Sequence, residues 1–257
     1  MEDHLQVAVG DGVLRLTLNR PAVLNALTAH MADRLATEVE DAAAREDVRV
    51  VLLSGAGGAF SSGADLGGPD AHENFDSSSL DRANRVIRAI TSLRKPCVAA
   101  VDGVAAGVGC SIALACDLVV AADSARFVLA FSRIGLMPDG GATATLAASV
   151  GRARAMRLCL LGEPFTGQEA YDAGLVSHLA PSDEVDAVVE ALVRQLVAGP
   201  PLAFAAIKRA VNQATLSQLE AALDNERTGQ AVLLRTADVA EGMRAFTERR
   251  TPRFTGG

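Results

Sequence analysis

The chain has 257 residues, 49% of them hydrophobic, and its 31 acidic and 24 basic side chains give a formal net charge of −7. This balance argues against electrostatic binding of nucleic acid. No run of about 20 apolar residues predicts a membrane span, and no secretory signal is visible, so we expect a cytoplasmic protein. The scattered histidines and the absence of a CxxC pair predict no metal site. The four cysteines are expected to be buried and reduced.

The N-terminal part alternates predicted strands and helices. In chain order, the pattern predicts a hairpin over 5–18, a helix over 29–45, a strand over 48–53, a glycine- and serine-rich loop over 54–66, and a helix over 80–93. Thr28 is a candidate N-cap for the first helix. The polar segment between residues 67 and 79 has no periodicity, and we expect it to be a mobile surface segment.

The stretch from Lys95 to Asp117 organises the rest of the chain. Residues 97–101 form a short apolar run typical of a buried strand, and residues 105–116 predict a helix of small residues that begins near Gly107 and Gly109. Small residues allow close approach of another backbone or a ligand, and a helix N-terminus presents unpaired N–H groups. The strand, turn and helix could therefore bind a ligand oxygen that becomes negatively charged. Alternatively, the helix could simply pack tightly on a sheet.

The C-terminal part turns from mixed to wholly helical. The predicted elements are a strand over 118–122, a tight turn over 135–141, helices over 142–150 and 153–161, a short helix capped by Thr166, a strand from 174, and helices over 185–197, 202–215 and 216–249. This order predicts an α/β core followed by a helical appendage. We place the core at residues 1–195 and the appendage at 196–257.

Several short motifs occur in a specific order along the chain. They are LNRP (18–21), NAL (25–27), AFSSGADL (59–66), KP (95–96), AAVDG (99–103), CD (116–117), ARF (125–127), IGLMP (134–138), GLV (174–176) and EGMRAF (241–246). Together they resemble the crotonase superfamily, the enoyl-CoA hydratase/isomerase family, over essentially the whole chain. The resemblance implies a spiral of ββα turns, a C-terminal helical trimerisation region, and an acyl-CoA thioester as substrate. It also implies a homotrimer or a dimer of trimers, with no cofactor beyond the coenzyme A of the substrate.

The resemblance implies an oxyanion hole made by the backbone N–H groups of Ala64 and Val108. Two such donors would stabilise the enolate oxygen that forms when a thioester loses a proton, at roughly 3–4 kcal/mol each. The family usually has glycine at the second position. Val108 keeps the N–H, but its β-branched side chain narrows the pocket.

The acid/base residues depart from the hydratases of the family. Hydratases carry two glutamates at the positions of Ser111 and Phe131, and neither replacement can share the activation of water. Asp139 instead stands where hydratases have glycine. In this it is similar to the phenylacetate-pathway isomerases, in which one aspartate moves a proton between carbons of the acyl group. The resemblance therefore predicts an enoyl-CoA isomerase with Asp139 as base and then acid.

Three alternatives remain open for this site. Asp139 could be the N-cap of a helix beginning near Gly140. The protein could be an enoyl-CoA hydratase of fatty-acid oxidation, or a catalytically weak acyl-CoA binder.

The remaining candidate residues would contact the substrate. By resemblance, the substrate and CoA contacts are Ala22, Val23, Asn25, Ala26, Ser62, Asp65, Leu66, Val104, Gly107, Ser111, Phe131, Pro138, Phe246 and Arg249. Ala22 replaces a lysine that is common in hydratases. Asp65 is expected mainly to form structural hydrogen bonds, and Ser111 to pack or bind a water. Phe246 and Arg249 match positions that a neighbouring subunit contributes in the family, although Arg249 could equally be a solvated basic residue.

Overall fold

The computed structural model describes residues 4–66 and 77–257, and its strands form two sheets. The strands are β1 (Leu5–Gly10), β2 (Val13–Leu18), β3 (Val50–Gly55), β4 (Cys97–Val101), β5 (Val104–Ala106), β6 (Leu118–Ala122), β7 (Arg126–Val128), β8 (Phe165–Thr166) and β9 (His178–Ala180). The larger sheet has the order β1-β2-β3-β4-β6-β9, and the smaller has the order β5-β7-β8. Within the larger sheet only the hairpin β1–β2 is antiparallel, so each later strand is reached by a crossover connection.

Helices make these crossovers. The helices are α1 (Ala29–Asp41), α2 (Ser77–Ser92), α3 (Val108–Ala115), α4 (Ala142–Leu161), α5 (Gly167–Asp172), α6 (Val185–Ala198), α7 (Pro201–Thr215), α8 (Leu219–Leu233) and α9 (Ala237–Thr247). Short 3-10 helices cover Pro21–Val23 and Ala130–Ile134. Thr28 caps α1, and Thr166 forms a capping box with Glu169 at α5, so both predicted caps are confirmed.

The chain winds in repeated ββα turns. One turn contains β4, β5 and α3, and the next contains β6, β7 and α4. The loop after β3 also joins the smaller sheet, because Ser61 pairs with Ala105 in an isolated parallel bridge. The predicted α/β class with a spiral of ββα units is confirmed. In each turn the chain passes from the larger sheet to the smaller one. The segments that contain Gly63 and Gly107 lie next to each other and form part of the candidate site.

Several element boundaries differ from the predictions; for example, the strand predicted from 174 begins only at His178. The predicted helix over 105–116 begins only at Val108, because residues 104–106 pair with β7 and Gly107 takes a non-helical conformation (φ 52, ψ −131). Helix α2 begins at Ser77, so the last residues of the predicted mobile segment are helical, whereas residues 67–76 lie outside the described residues. The long helix predicted over 216–249 divides at 234–236, where Thr236 caps α9. Neither Gly229 nor Gly242 interrupts it.

The C-terminal helices differ in what they cover. Helix α6 packs on β3, β4, β6 and β9 and buries three valines, Val185, Val189 and Val193. Helix α7 has no buried residue and exposes large apolar side chains, among them Leu202 and Ile207. Helix α8 packs on α2 and α4, and α9 packs on the 3-10 helix Ala130–Ile134. The helical appendage therefore contacts the core of its own chain.

Within the described residues, no single helix has the length and apolar composition of a membrane span. Only α6 and α7 together, bent by 109°, have them.

Candidate active site

A cavity of about 610 Å³ lies between α1, α2, α3 and the 3-10 helix Ala130–Ile134. Most of its wall is apolar, with Ala32, Leu80, Val86, Ile112 and Phe131 among the lining residues. Ala64, Val108 and Asp139 line the same cavity, so the structure brings together the three residues predicted to act on the thioester.

The two predicted oxyanion donors follow glycines on neighbouring connections. Gly63 has φ +96, and a Cβ there would lie 2.9 Å from the carbonyl oxygen of Ala106, so only glycine allows these two connections to run so close. Val108 is the first residue of α3, where the backbone N–H has no intrahelical acceptor. In the described part of the chain, no hydrogen bond uses the N–H of Ala64 or of Val108. Both donors therefore remain available to a ligand in the cavity.

Asp139 presents one carboxylate oxygen that the protein does not use. Its side chain is 3% exposed, and Oδ2 accepts a hydrogen bond from Nε2 of Gln230 at 3.2 Å. Oδ1 is buried and has no hydrogen-bond partner among the described residues. A buried carboxylate oxygen without a partner is costly for stability, and such groups are concentrated at functional sites.

Burial raises the pKa of Asp139 to about 7. Desolvation is the main cause, the hydrogen bond from Gln230 acts in the opposite direction, and the nearby negative charge of Glu226 adds to the rise. A carboxyl with a pKa near neutrality can both accept and return a proton at physiological pH, which is the property that general acid/base catalysis requires.

The structure does not support Asp139 as a helix N-cap. Helix α4 begins at Ala142, its N-cap is Gly141, and no side chain of the cap residue is involved. Glu226 on α8 performs this function instead. Its carboxylate accepts from the N–H of Gly141 at 2.7 Å, the N–H of Thr143 at 2.9 Å and the hydroxyl of Thr143. The helix dipole favours this negative charge, and Asp139 is left free of a capping role.

The positions of the two hydratase glutamates have different roles here. Phe131 lines the cavity. Ser111 is fully buried, and its hydroxyl donates to the main-chain oxygen of Asp139 at 2.8 Å. Ser111 thus fixes the Asp139 backbone rather than only packing or binding water. Leu136 lines the cavity but Met137 does not, because the side chain of Met137 packs towards α8 beside Gly229.

Asn25 and Asp65 hold the loops beside the cavity. The side chain of Asn25 is fully buried, accepts from the N–H of Arg20 at 2.8 Å, and donates to the carbonyl oxygens of Ala56 and Ala59. Asp65 forms an ion pair with Arg20 at 2.7 Å, in line with the structural role expected for it. With the side chain of Asn25 committed inside the protein, its contact with coenzyme A would have to come from the backbone.

The other candidate contacts divide by their position. Those lining the cavity are Ser62, Asp65, Leu66, Gly107, Phe131 and Phe246. Those outside its lining are Ala22, Val23, Asn25, Ala26, Val104, Ser111, Pro138 and Arg249. The segment around Val23 nevertheless adjoins the cavity, since the hydroxyl of Ser62 donates to the carbonyl of Val23 at 3.1 Å. Phe246 is 67% exposed and lines the cavity of its own chain.

Sequence reasoning missed Gln230 and Glu226, the two side chains that hold the Asp139 loop. Both are almost completely buried, at 0% and 1% exposed. A signal for them exists in α8, whose buried positions are 219, 223, 226 and 230. This spacing defines the core-facing side of a helix, and two of its four positions are polar. Polar residues on a core-facing side need partners.

The fold and the site, in which a buried carboxylate and two backbone N–H groups without a partner among the described residues line one apolar cavity, define a crotonase-type enzyme. The chain belongs to the enoyl-CoA hydratase/isomerase family, whose model matches residues 8–257. It is 38% identical over 261 residues, 100% of both chains, to the 1,2-epoxyphenylacetyl-CoA isomerase of Escherichia coli. It is 39% identical over 244 residues, 95% of both chains, to the 2,3-dehydroadipyl-CoA hydratase of the same species.

A solved structure has the same fold over nearly the full length. The crystal structure of an enoyl-CoA hydratase from Mycobacterium avium subsp. paratuberculosis matches with a TM-score of 0.93 and 48% identity, covering 98% of this chain and 99% of that chain. The predicted family is therefore confirmed. Relatives named as isomerases and relatives named as hydratases both occur at similar identity, so family membership leaves the reaction to be inferred from the site.

Proposed function

We propose that the protein isomerises the double bond of an enoyl-CoA, with Asp139 as the single acid/base residue. The observation that carries this proposal is Oδ1 of Asp139, which is buried and has no hydrogen-bond partner among the described residues, in a cavity that Ala64 and Val108 also line. The positions at which hydratases have their two glutamates support it, because Phe131 cannot transfer a proton and Ser111 is bonded to the Asp139 backbone.

The proposed reaction has two proton transfers. Asp139 removes a proton from one carbon of the acyl chain while the N–H groups of Ala64 and Val108 stabilise the negative charge on the thioester oxygen. The protonated aspartic acid then returns the proton to the other end of the enolate, which moves the double bond. The apolar cavity suits an apolar acyl group. Both transfers use groups of the chain alone, so we propose that the reaction requires no cofactor beyond the coenzyme A of the substrate.

Hydration is the second candidate, because relatives of similar identity are named as hydratases. A 2-enoyl-CoA and a 3-enoyl-CoA distinguish the two when water addition and bond migration are followed separately. We expect bond migration at least ~10²-fold faster than water addition, since one general acid or base contributes on that scale. Hydration at a turnover comparable to isomerisation would contradict the proposal.

Asp139→Asn tests the role of the carboxylate itself. Asparagine keeps the size and can still accept the hydrogen bond from Gln230, but it cannot act as a base. We expect isomerisation to fall by at least ~10²-fold while binding of a saturated acyl-CoA persists. Asp47→Asn is the control for the substitution itself, because this carboxylate is exposed, pairs with Arg45 and lies outside the cavity lining, and it should retain isomerisation. An Asp139→Asn enzyme that isomerises at near the parent rate would refute the mechanism.

We further propose that the chain forms a homotrimer or a dimer of trimers in the cytoplasm. Large apolar side chains are exposed on the C-terminal helices, including Leu202 (77%), Val232 (65%) and Phe246 (67%). Exposed apolar area of this kind is typical of an interface, and closed symmetry is the usual arrangement. Leu233 and Leu234, also expected at the interface, are only half-buried against their own core. Light scattering at micromolar concentration tests the assembly, and a monomer would contradict it.

A further inference from the structure

The side chain of Gln230 on α8 bonds the loop that contains Met137 and Asp139 through both ends of its amide. Its Oε1 accepts from the backbone N–H of Met137 at 3.1 Å, and its Nε2 donates to Oδ2 of Asp139 at 3.2 Å. A backbone N–H can only donate, so this contact fixes which end of the amide is oxygen. The amide N–H must therefore face Asp139.

Helix α8 lies close to this loop at the residue before Gln230. A Cβ on Gly229 would lie only 2.4 Å from Sδ of Met137, so a side chain there would require the Met137 side chain to move. Ser111 fixes the Asp139 backbone from α3. The aspartate is thus held from two sides by elements far apart in the chain.

We propose that Gln230 is a positioning residue that occupies Oδ2 of Asp139 and leaves Oδ1 as the oxygen that carries the proton in both transfers. This inference rests on the function proposed above. Oδ2 already accepts a hydrogen bond from Gln230, which occupies one of its lone pairs and makes this oxygen less basic than Oδ1. Oδ1 has no partner within the described residues, so it is free to meet the substrate.

The steps balance on this one oxygen. The C–H bond of the substrate breaks, its electron pair passes into the enolate, and the proton bonds to Oδ1. The enolate electron pair then takes the same proton from Oδ1 at the other carbon, which restores the carboxylate. Because Oδ2 is held by Gln230, the carboxyl group does not need to rotate between the two transfers.

The charged groups around Asp139 determine how its ionisation can be tested. Glu226 lies behind it on α8, and the other charged side chains that line the cavity in the described chain are Asp65, Arg82 and Arg133. Asp65 pairs with Arg20, and Arg82 pairs with Asp33. None of these contacts changes when Gln230 is substituted, so a shift in the pH profile can be attributed to the lost amide donor.

Gln230→Met is the main test, because methionine has nearly the same shape but no donor. The pH dependence of kcat/KM for isomerisation of a 3-enoyl-CoA reports the pKa of the free enzyme's base. We expect this pKa to rise by roughly one pH unit or more, the scale of a hydrogen bond to a charged group. We also expect kcat to fall by ~10–100-fold from misplacement of the carboxylate, with KM little changed.

Gln230→Glu separates the two ends of the amide. It keeps an acceptor for the N–H of Met137 but replaces the donor with a second carboxyl beside Asp139. Two carboxyls at this distance titrate as a pair, so the apparent pKa should rise further than in Gln230→Met. This variant keeps the test informative if methionine prevents folding.

Leu223→Ala is the structural control on the same helix. Leu223 is fully buried near Gly141, so its truncation should lower the Tm while leaving the kinetic pKa unchanged. A 3-enoyl-CoA deuterated at the carbon that loses its proton gives an independent readout in ordinary water. The parent should carry more label to the other carbon than Gln230→Met, in which the carboxyl can rotate.

The outcomes distinguish this inference from the proposed function. If the parent isomerises through Asp139 but Gln230→Met has an unchanged pH profile, kcat and label retention, Gln230 is not a positioning residue and the function stands. If Asp139→Asn isomerises at near the parent rate, the proposed function fails before Gln230 is considered.

Discussion

Asp139→Asn should change stability as well as activity, and the change should depend on pH. The native state raises the pKa of Asp139 from its ordinary 3.8 to about 7, so it binds this proton more strongly than the unfolded chain does. Stability therefore falls as the pH rises through this window. A shift of one pKa unit corresponds to ~1.4 kcal/mol. At pH 8, the shift from 3.8 to about 7 therefore destabilises the native state by about 4 kcal/mol relative to a carboxyl with the ordinary pKa.

Asparagine removes this cost but has one of its own. Its buried amide can accept from Gln230, yet its NH₂ group gains no acceptor, at about 1–3 kcal/mol. We therefore expect Asp139→Asn to be less stable than the parent at pH 4.5 and more stable at pH 8, by roughly 1–3 kcal/mol.

Urea unfolding at the two pH values and at one fixed protein concentration measures this difference, because assembly makes stability concentration-dependent. A difference between variant and parent that is the same at pH 4.5 and pH 8 would refute the raised pKa of Asp139, and with it the argument that burial prepares this residue for proton transfer.

Two further predictions concern the carboxylates of Glu226 and Asp117. Glu226→Gln removes a like charge near Asp139 and should lower the kinetic pKa, opposite in sign to the Gln230 variants. It should also lower the Tm, because one amide oxygen replaces the two carboxylate oxygens that accept hydrogen bonds at the start of α4. An unchanged pH profile would contradict the effect of the Glu226 charge on the pKa of Asp139. Lys208→Met leaves Asp117, whose side chain is 22% exposed, without its ion-pair partner at 2.8 Å and should destabilise the protein by about 1–3 kcal/mol, measured by urea unfolding. The double variant with Asp117→Asn should recover part of the loss, and a Lys208→Met protein as stable as the parent would show that the pair contributes nothing.

Local patterns predicted the elements whose causes are local. The hairpin, the strand of residues 97–101 and the caps Thr28 and Thr166 depend on alternation or on contacts within three residues, and all are present. The pattern predicts helix at residues 105–106 because small apolar residues suit either structure. The pairing of this stretch with β7 depends on residues more than 20 positions away, which periodicity cannot detect.

The residues of the site also divide into those that local motifs identify and those that depend on distant contacts. Asp139, Ala64 and Val108 follow from motifs that identify a family, and the cavity does contain all three. The state of Asp139 depends on Gln230, 91 positions away, and on Glu226. The sequence places polar residues at core-facing positions of α8, but it does not show which loop they meet.

Helix α8 would connect the proposed assembly with the proposed catalysis. Its inward side holds the Asp139 loop through Glu226 and Gln230, and its outward side exposes Val232. One side of this helix packs on the core and the other is exposed. Because packed interiors deform little, a contact that restrains the exposed side also restrains the side chains on the buried side. Contacts with a neighbouring subunit would therefore reinforce the same positions that fix Asp139. If the helical region forms the proposed subunit interface, it would also position the proposed catalytic carboxylate, because Gln230 and Glu226 on α8 contact this loop and influence the pKa of Asp139.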